Sequence, residues 1–383
     1  MNWDDIIVDA AATDTGMRRA NNQDSHTVVR SSKLESWRQR GHLFMVADGM
    51  GAHAVGELAS KLACDNIPHN YTKAKNAKPS EAIAKAYKEV GGLIHGKATA
   101  NRDFAGMGTT CSTLLLLPEG ALIAHVGDSR VYRVRNGRID QLSFDHSLAW
   151  ELVRRNHLSE EQANKAVPRN VITRSLGPDP NTEVDIEGPL PVEPGDVFLL
   201  CSDGLSGPVE DAELGAFAGN FHPKNACRYL LQLANLRGGQ DNITVVIARI
   251  GPWVDPDEAG ASEPGQGRSA DGKKTGAGWM KGITDLLGSS KKKATPAVEE
   301  HIYRTCECPV SEALVDKLSD LVRKGQQVAI DQTWPVDWSA LADHRRIAGQ
   351  LRSEGKLRHA LMKLGEAIDL LGVAGRIHRR SAG

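Results

Sequence analysis

The sequence predicts an α+β domain over residues 1–250, a linker over 251–296 and a small all-α domain over 297–383. Three observations predict it: short apolar runs that stop at Asp, Gly or Pro, stretches of helical spacing between them, and a shift to Gly, Pro, Ser and charge after residue 250. The runs at 43–47, 113–117, 122–126, 197–201 and 244–250 are mostly β-branched or aliphatic, as buried strands are. Between the first two, Ala54, Val55, Leu58, Ala59, Leu62 and Ala63 recur at helical spacing, and 82–94 reads as a second helix.

The linker holds too few apolar residues to repay the entropy of ordering it. Within it, Trp279, Met280, Ile283, Leu286 and Leu287 share one helical face ahead of Lys291-Lys292-Lys293. That pattern is a short amphipathic docking helix over 278–288 or an isolated apolar turn. From 297 onward the pattern is wholly helical, with Leu314, Leu318 and Leu321 on one face and further helices over 338–351 and 356–371. The last pair carries Ile347, Ala348, Leu351, Gly355, Ala360, Leu364 and Ala367 at the spacing of a tetratricopeptide repeat. His344 replaces that pattern's Trp and Gly372 its terminal Pro, so a generic helical hairpin fits as well.

Hydrophobic content of 40% and charged content of 25% exclude a disordered or membrane-embedded chain. A net charge of −1 with no large basic block excludes nucleic acid as a partner. The acidic start, Asp4-Asp5, and the lack of an apolar run of about 18 residues predict neither secretory signal nor transmembrane segment, and a cytoplasmic location. Six scattered cysteines read as reduced thiols; Cys306-Glu307-Cys308 is either half of a metal site or an ordinary pair, and no second pair at zinc spacing accompanies it.

Chemistry concentrates at the strand ends. Asp48-Gly49, Gly127-Asp128 and Asp203-Gly204 each follow a predicted strand, and Asp241 precedes the last one. One such pair is an ordinary turn, but side by side these ends gather carboxylates whose repulsion calls for protons or cations. Carboxylates without matching His or Cys select Mg²⁺ or Mn²⁺ over zinc. Two such ions about 3.5–4 Å apart can activate a shared water toward phosphorus, which points to phosphoester hydrolysis. Arg19, in Arg19-Ala20-Asn21-Asn22-Gln23-Asp24, is a candidate bidentate donor to the phosphate.

These residues resemble the metal-dependent protein phosphatases (PPM), the type 2C serine/threonine phosphatases, in their bacterial form. The resemblance runs from about Ile7 to Ile250 through Thr13-Asp14-Thr15-Gly16, Asn22-Gln23-Asp24, Val46-Ala47-Asp48-Gly49-Met50-Gly51, Gly108-Thr109-Thr110, Gly127-Asp128-Ser129-Arg130, Ser202-Asp203-Gly204-Leu205 and Gln240-Asp241-Asn242-Ile243-Thr244, all in family order. It implies a four-layer α-β-β-α sandwich of two antiparallel sheets flanked by helices, with a substrate-selecting flap over about 144–176. It implies two or three Mn²⁺ or Mg²⁺ ions: Asp48 bridging two, the Gly49 carbonyl on one, Asp203 and Asp241 on the other, and Asp128 with Asp203 at a third. Asp24 would hold a water there and Arg19 would clamp the phosphate. Phosphoserine and phosphothreonine proteins are the implied substrates, with an opposing serine/threonine kinase among them, and the C-terminal helices are expected to dock a protein partner. As a flexibly tethered module, that tail is expected to be removable after Gly251 without loss of small-phosphoester hydrolysis.

Two departures matter. Gln23 stands where Glu is frequent, and Met50 follows the Asp-Gly pair where some eukaryotic members carry a proposed general-acid His, which leaves the proton donor unassigned; His53 is the nearby candidate. Other readings are weaker. Gly49-Met50-Gly51-Ala52-His53-Ala54 imitates a dinucleotide fingerprint without a second strand ending in an acid, and 91–97 imitates a phosphate loop but continues with Ala98. No cysteine has the setting of a phosphate-loop nucleophile. A catalytically weak phosphatase-like binding module is the remaining rival, opposed by the joint presence of Asp48, Asp203 and Asp241.

Overall fold

The computed structural model of the protein describes residues 7–51, 55–155, 162–163, 166, 171–253 and 303–382. Two antiparallel sheets lie face to face. One orders β2 (Asp24–Val29), β3 (His42–Met50), β5 (Cys111–Leu117), β6 (Gly120–Val126) and β9 (Asp185–Leu190), with β4 (Gly108–Thr109) paired to β3. The other orders β1 (Ile7–Asp14), β11 (Ile243–Ile250), β10 (Val197–Cys201), β7 (Arg130–Arg135), β8 (Arg138–Gln141) and β12 (Arg304–Glu307). Helices α2 (Val55–Lys73) and α3 (Pro79–Ala100) back the first sheet, and α6 (Asp211–Asn220) and α7 (Pro223–Leu236) the second. Shorter helices are α1 (Leu34–Arg40), α4 (Leu148–Arg154) and α5 (Asp203–Ser206).

The central strands read as unbroken apolar runs because both of their faces are buried. Along β10, Phe198 and Leu200 enter the core between the sheets while Leu199 and Cys201 enter the core under the helices. On β3, Phe44 and Val46 join the middle layer, whereas Leu43, Met45 and Ala47 pack against α2 and α3. This is the period-2 alternation of a pleated strand, with apolar partners on each side. The implied four-layer sandwich is the observed architecture. Strands β1, β7, β8 and β9 escaped the sequence reading because they are short or half-buried and mix charge with apolar residues, as in Arg130–Arg135.

The C-terminal part departs from the sequence expectation in two ways. It is not wholly helical: Arg304–Glu307 forms β12, pairing antiparallel with β8 at the sheet edge, a partner about 165 positions away that no local periodicity reveals. Nor is it a separately tethered body. Helices α8 (Glu312–Asp331), α9 (Trp338–Ser353) and α10 (Leu357–Ala382) place Val315, Leu318, Val322, Leu361, Leu364, Ile368 and Leu371 in the same core as Tyr229, Leu230 and Leu233 of α7. Each such side chain contributes roughly 1.5–3 kcal/mol by burial, far more than the surface ion pairs that rim the contact. Helix α10 comes close because it carries glycine at the contact: a Cβ at Gly365 would lie 2.7 Å from the Tyr229 ring, and one at Gly372 2.3 Å from Gln232 Oε1. In the α9–α10 hairpin, Ala348, Ala360, Leu364 and Ala367 are buried as a helical hairpin requires. Linker residues beyond 253, with the 278–288 helix, lie outside the described residues.

The sequence-based expectation of a removable tail is therefore replaced by the opposite one. Truncation after Gly251 is expected to lower the melting temperature by about 10 °C or more, and Gly372→Ala to destabilise the full chain by about 1–3 kcal/mol through overpacking against buried Gln232. Thermal denaturation of both variants checks this; a truncated protein as stable as the full chain would show that the shared core carries no stability.

Candidate metal centre and phosphate site

The two sheets bring the acidic residues to one end of the sandwich. Asp24 opens β2 directly opposite Asp48 near the end of β3. Asp128 follows β6, Asp203 begins the short helix after β10, and Asp241 lies just before β11. The antiparallel register fixes this convergence, since each strand either ends or begins at the same edge.

Hydrogen bonds from chain-distant residues hold the cluster in place. Ser202 Oγ donates to Asp24 Oδ2 at 2.7 Å and accepts the Thr244 N–H at 3.0 Å, tying β2 to β10 and β11. The Asp48 N–H donates to Thr110 Oγ1 at 2.9 Å, and the Thr110 N–H returns to the Asp48 carbonyl at 2.8 Å. Gly49 leaves no room for a side chain: a Cβ would sit 2.0 Å from the Gly56 carbonyl oxygen at the start of α2. Asn242 stitches the Arg19 loop to the Asp241 turn, accepting from the Gln23 N–H at 2.8 Å and donating to the Thr15 and Asn21 carbonyls at 3.0 and 2.9 Å. Ser202, Thr110 and Asn242 were visible in the sequence as parts of motifs, but their roles depend on partners far away in the chain. His146 gave no signal at all. It accepts the Gly127 N–H on Nδ1 at 3.1 Å and donates from Nε2 to Asp185 at 2.9 Å, bracing the turn that presents Asp128.

Electrostatics show what this packing costs. Burial pushes the Asp24 carboxyl up to about 7; hydrogen bonds from Ser202 and Thr244 oppose the rise and the charges of Asp203 and Asp241 add to it. Burial likewise raises Asp128 to about 8, helped by Asp203 and Asp145. Asp48 is held well above the ordinary carboxylate range by burial and then by Asp24, Asp203, Asp128 and Asp241, and Asp203 is raised by burial and by Asp241. The Arg19 guanidinium supplies one counter-charge, 2.8 Å from Asp241 Oδ2.

The residues fit hard divalent cations. Asp24 Oδ1 and Asp203 Oδ1 are buried without a hydrogen-bond partner, an arrangement that costs free energy unless a cation or proton satisfies them. All the clustered donors are carboxylate oxygens, the preference of Mg²⁺ and Mn²⁺. Among the described residues no three His, Cys, Asp or Glu side chains form a metal-ligand set as they stand, and Asp241 is turned to Arg19. Candidate His53 lies outside the described residues.

A cavity of about 510 Å³ opens beside the cluster, from Asp128 and Asp203 past Trp150 of α4 to Arg304 and Cys306 of β12. Helix α4, within the 144–176 segment, and the C-terminal strand β12 line the cavity together, with the Arg304 guanidinium 5.9 Å from the centre of the Trp150 ring. Among the described residues no helix is long and apolar enough to cross a membrane.

Comparison with known proteins agrees with the geometry. Residues 17–234 match the protein phosphatase 2C family. The serine/threonine phosphatase stp of Listeria innocua is 33% identical over 240 residues, covering 61% of this chain and 92% of that protein. The crystal structure of the PPM Ser-Thr phosphatase MsPP from Mycobacterium smegmatis, in complex with cacodylate, superposes with a TM-score of 0.56 at 32% identity, over 64% of this chain and 99% of that one. The catalytic domain of the serine/threonine protein phosphatase PstP, solved with two manganese ions, superposes with a TM-score of 0.54 at 31% identity, again over 64% of this chain and 99% of that one. With its carboxylates gathered at the edge of a doubled antiparallel sheet, the chain belongs to the protein phosphatase 2C, or PPM, family of serine/threonine phosphatases.

Proposed function

We propose that the protein removes phosphate from phosphoserine and phosphothreonine side chains of proteins in the cytoplasm, opposing a serine/threonine kinase, with two or three Mn²⁺ or Mg²⁺ ions at the aspartate cluster. The observation that carries this reading is the set of mutually repelling carboxyls with buried, unpartnered oxygens beside an open cavity and an arginine. Asp48, the Gly49 carbonyl, Asp203 and Asp241 would hold a pair of ions, and Asp128 with Asp203 a third. When bound, such ions lower the pKa of water and offset charge on a phosphoryl group. The PstP structure with two manganese ions supports the pair.

The chain's own residues would do the positioning. Asp24, held by Ser202 through Oδ2, would orient the attacking water. Arg19, exchanging its Asp241 partner for substrate, donates to the phosphate oxygens through its planar guanidinium. The cavity lined by α4 and β12 would receive the peptide around the phosphorylated residue, with Arg304, packed over the Trp150 ring, setting a guanidinium in its lining. The C-terminal helices, besides their share of the core, would present an outer surface to a protein partner.

Purified protein with a phosphothreonine peptide and Mn²⁺ is expected to release phosphate, and a chelator to abolish release; turnover that persists in the chelator would remove the metals from the reaction. Asp48→Asn is expected to reduce turnover by about 100-fold or more while leaving the metal-free melting temperature unchanged or higher, since it relieves buried repulsion. Mn²⁺ should raise the melting temperature of the unaltered protein, and this rise should shrink in Asp48→Asn. Asp128→Ala is expected to weaken activity and shift its metal titration without loss of fold; an unaltered titration would reject a role for Asp128 in metal binding.

A further inference from the structure

The last turns of α10 grip the loop that carries Arg19. Arg376 donates to Asp14 Oδ2 at 2.5 Å, and Asp14 Oδ1 in turn accepts the Gly16 N–H at 2.9 Å and Asn235 Nδ2 at 3.1 Å. One helical turn on, Arg379 donates through Nη1 to the Gly16 carbonyl and through Nη2 to the Arg19 carbonyl. Across the loop, the Met17 and Arg18 N–H groups donate to the Gly239 carbonyl at 2.7 and 3.1 Å. Gly16, at φ +76°, lies so close to the Asp241 turn that a Cβ would fall 2.0 Å from the Asp241 carbonyl oxygen. The backbone from Asp14 to Arg19 is thereby held between the 239–241 turn and the end of α10, while the Arg19 side chain remains 52% exposed and able to reorient.

A cationic residue in the last turn of a helix is favoured by the helix dipole, so Arg379 serves the helix end and the loop together. A loop ordered in advance spares substrate binding the entropy of ordering it. Both arginines lie beyond the family-matched residues 17–234, in the part of the chain that packs on α7.

We propose that Arg379, assisted by Arg376, is a positioning residue for phosphate recognition: the C-terminal helix sets the backbone of the Arg19 loop so that the Arg19 guanidinium meets the substrate phosphate. The proposal rests on reading Arg19 as the phosphate donor. It makes the C-terminal helices part of the substrate-binding apparatus rather than an appendage.

The test is a double-mutant cycle in the full chain with Mn²⁺ and a phosphothreonine peptide, using Arg379→Ala, Arg19→Ala and the pair. Arg379→Ala is expected to raise KM about tenfold with kcat within about twofold, and to raise the inhibition constant of inorganic phosphate in parallel. In the Arg19→Ala background the same change should alter KM by less than about twofold, because Arg379 acts through Arg19. The melting temperature of each variant separates this from general loosening. An unchanged KM in Arg379→Ala, or equal effects in both backgrounds, overturns the inference while leaving phosphatase activity in place. An unaltered chain that hydrolyses no phosphopeptide overturns the underlying function as well, a result visible before any variant is compared.

Discussion

Mutual repulsion among buried carboxyls is the constraint around which this structure is organised. Burial, and then the charge of neighbouring aspartates, favours the acid forms of Asp24, Asp48, Asp128 and Asp203, so the folded chain gathers them at an energetic cost. That cost is met by the large apolar area buried on both faces of both sheets. Strands as apolar as β5, β6 and β10 stabilise the fold enough to tolerate a strained acidic edge, and in return they determine where each aspartate stands.

The precision of the edge comes from neutral groups rather than from charges. Ser202, Thr110 and Asn242 each join backbone segments that are far apart in the chain, and each bond fixes a carboxylate-bearing turn without adding to its negative charge. His146 does the same for Gly127 while passing its own proton-bearing nitrogen to Asp185, whose carboxyl the His146 and Arg174 contacts lower to about 2 despite partial burial.

The C-terminal helices change the meaning of the fold. In the MsPP and PstP catalytic structures the matched unit is nearly the whole chain, whereas here it covers 64% of the chain and its outer helix α7 is apolar on both sides. Helix α10 covers that second side with α8 packed against it, β12 extends the sheet to the cavity wall, and α10 runs on to the Arg19 loop. A segment outside the family-matched residues thus borders the cavity beside the aspartates and braces the Arg19 loop.

The acidic pairs at the ends of apolar runs, with Arg19 and the family order of motifs, were enough to place the chain in its family, with the sandwich that family implies and aspartates gathered at the strand ends, from sequence alone. Apolar runs are local signals, and Asp-Gly at their ends is legible wherever the strands go. What the tertiary structure decided was long-range: the pairing of Arg304–Glu307 with β8, the joining of the helical tail to the core of α7, the bracing by His146 and the hold of Arg379 on the Arg19 loop. A strand edge, a helix face or a guanidinium has many partners it could satisfy equally well. Which one it meets is settled only when the whole chain has packed.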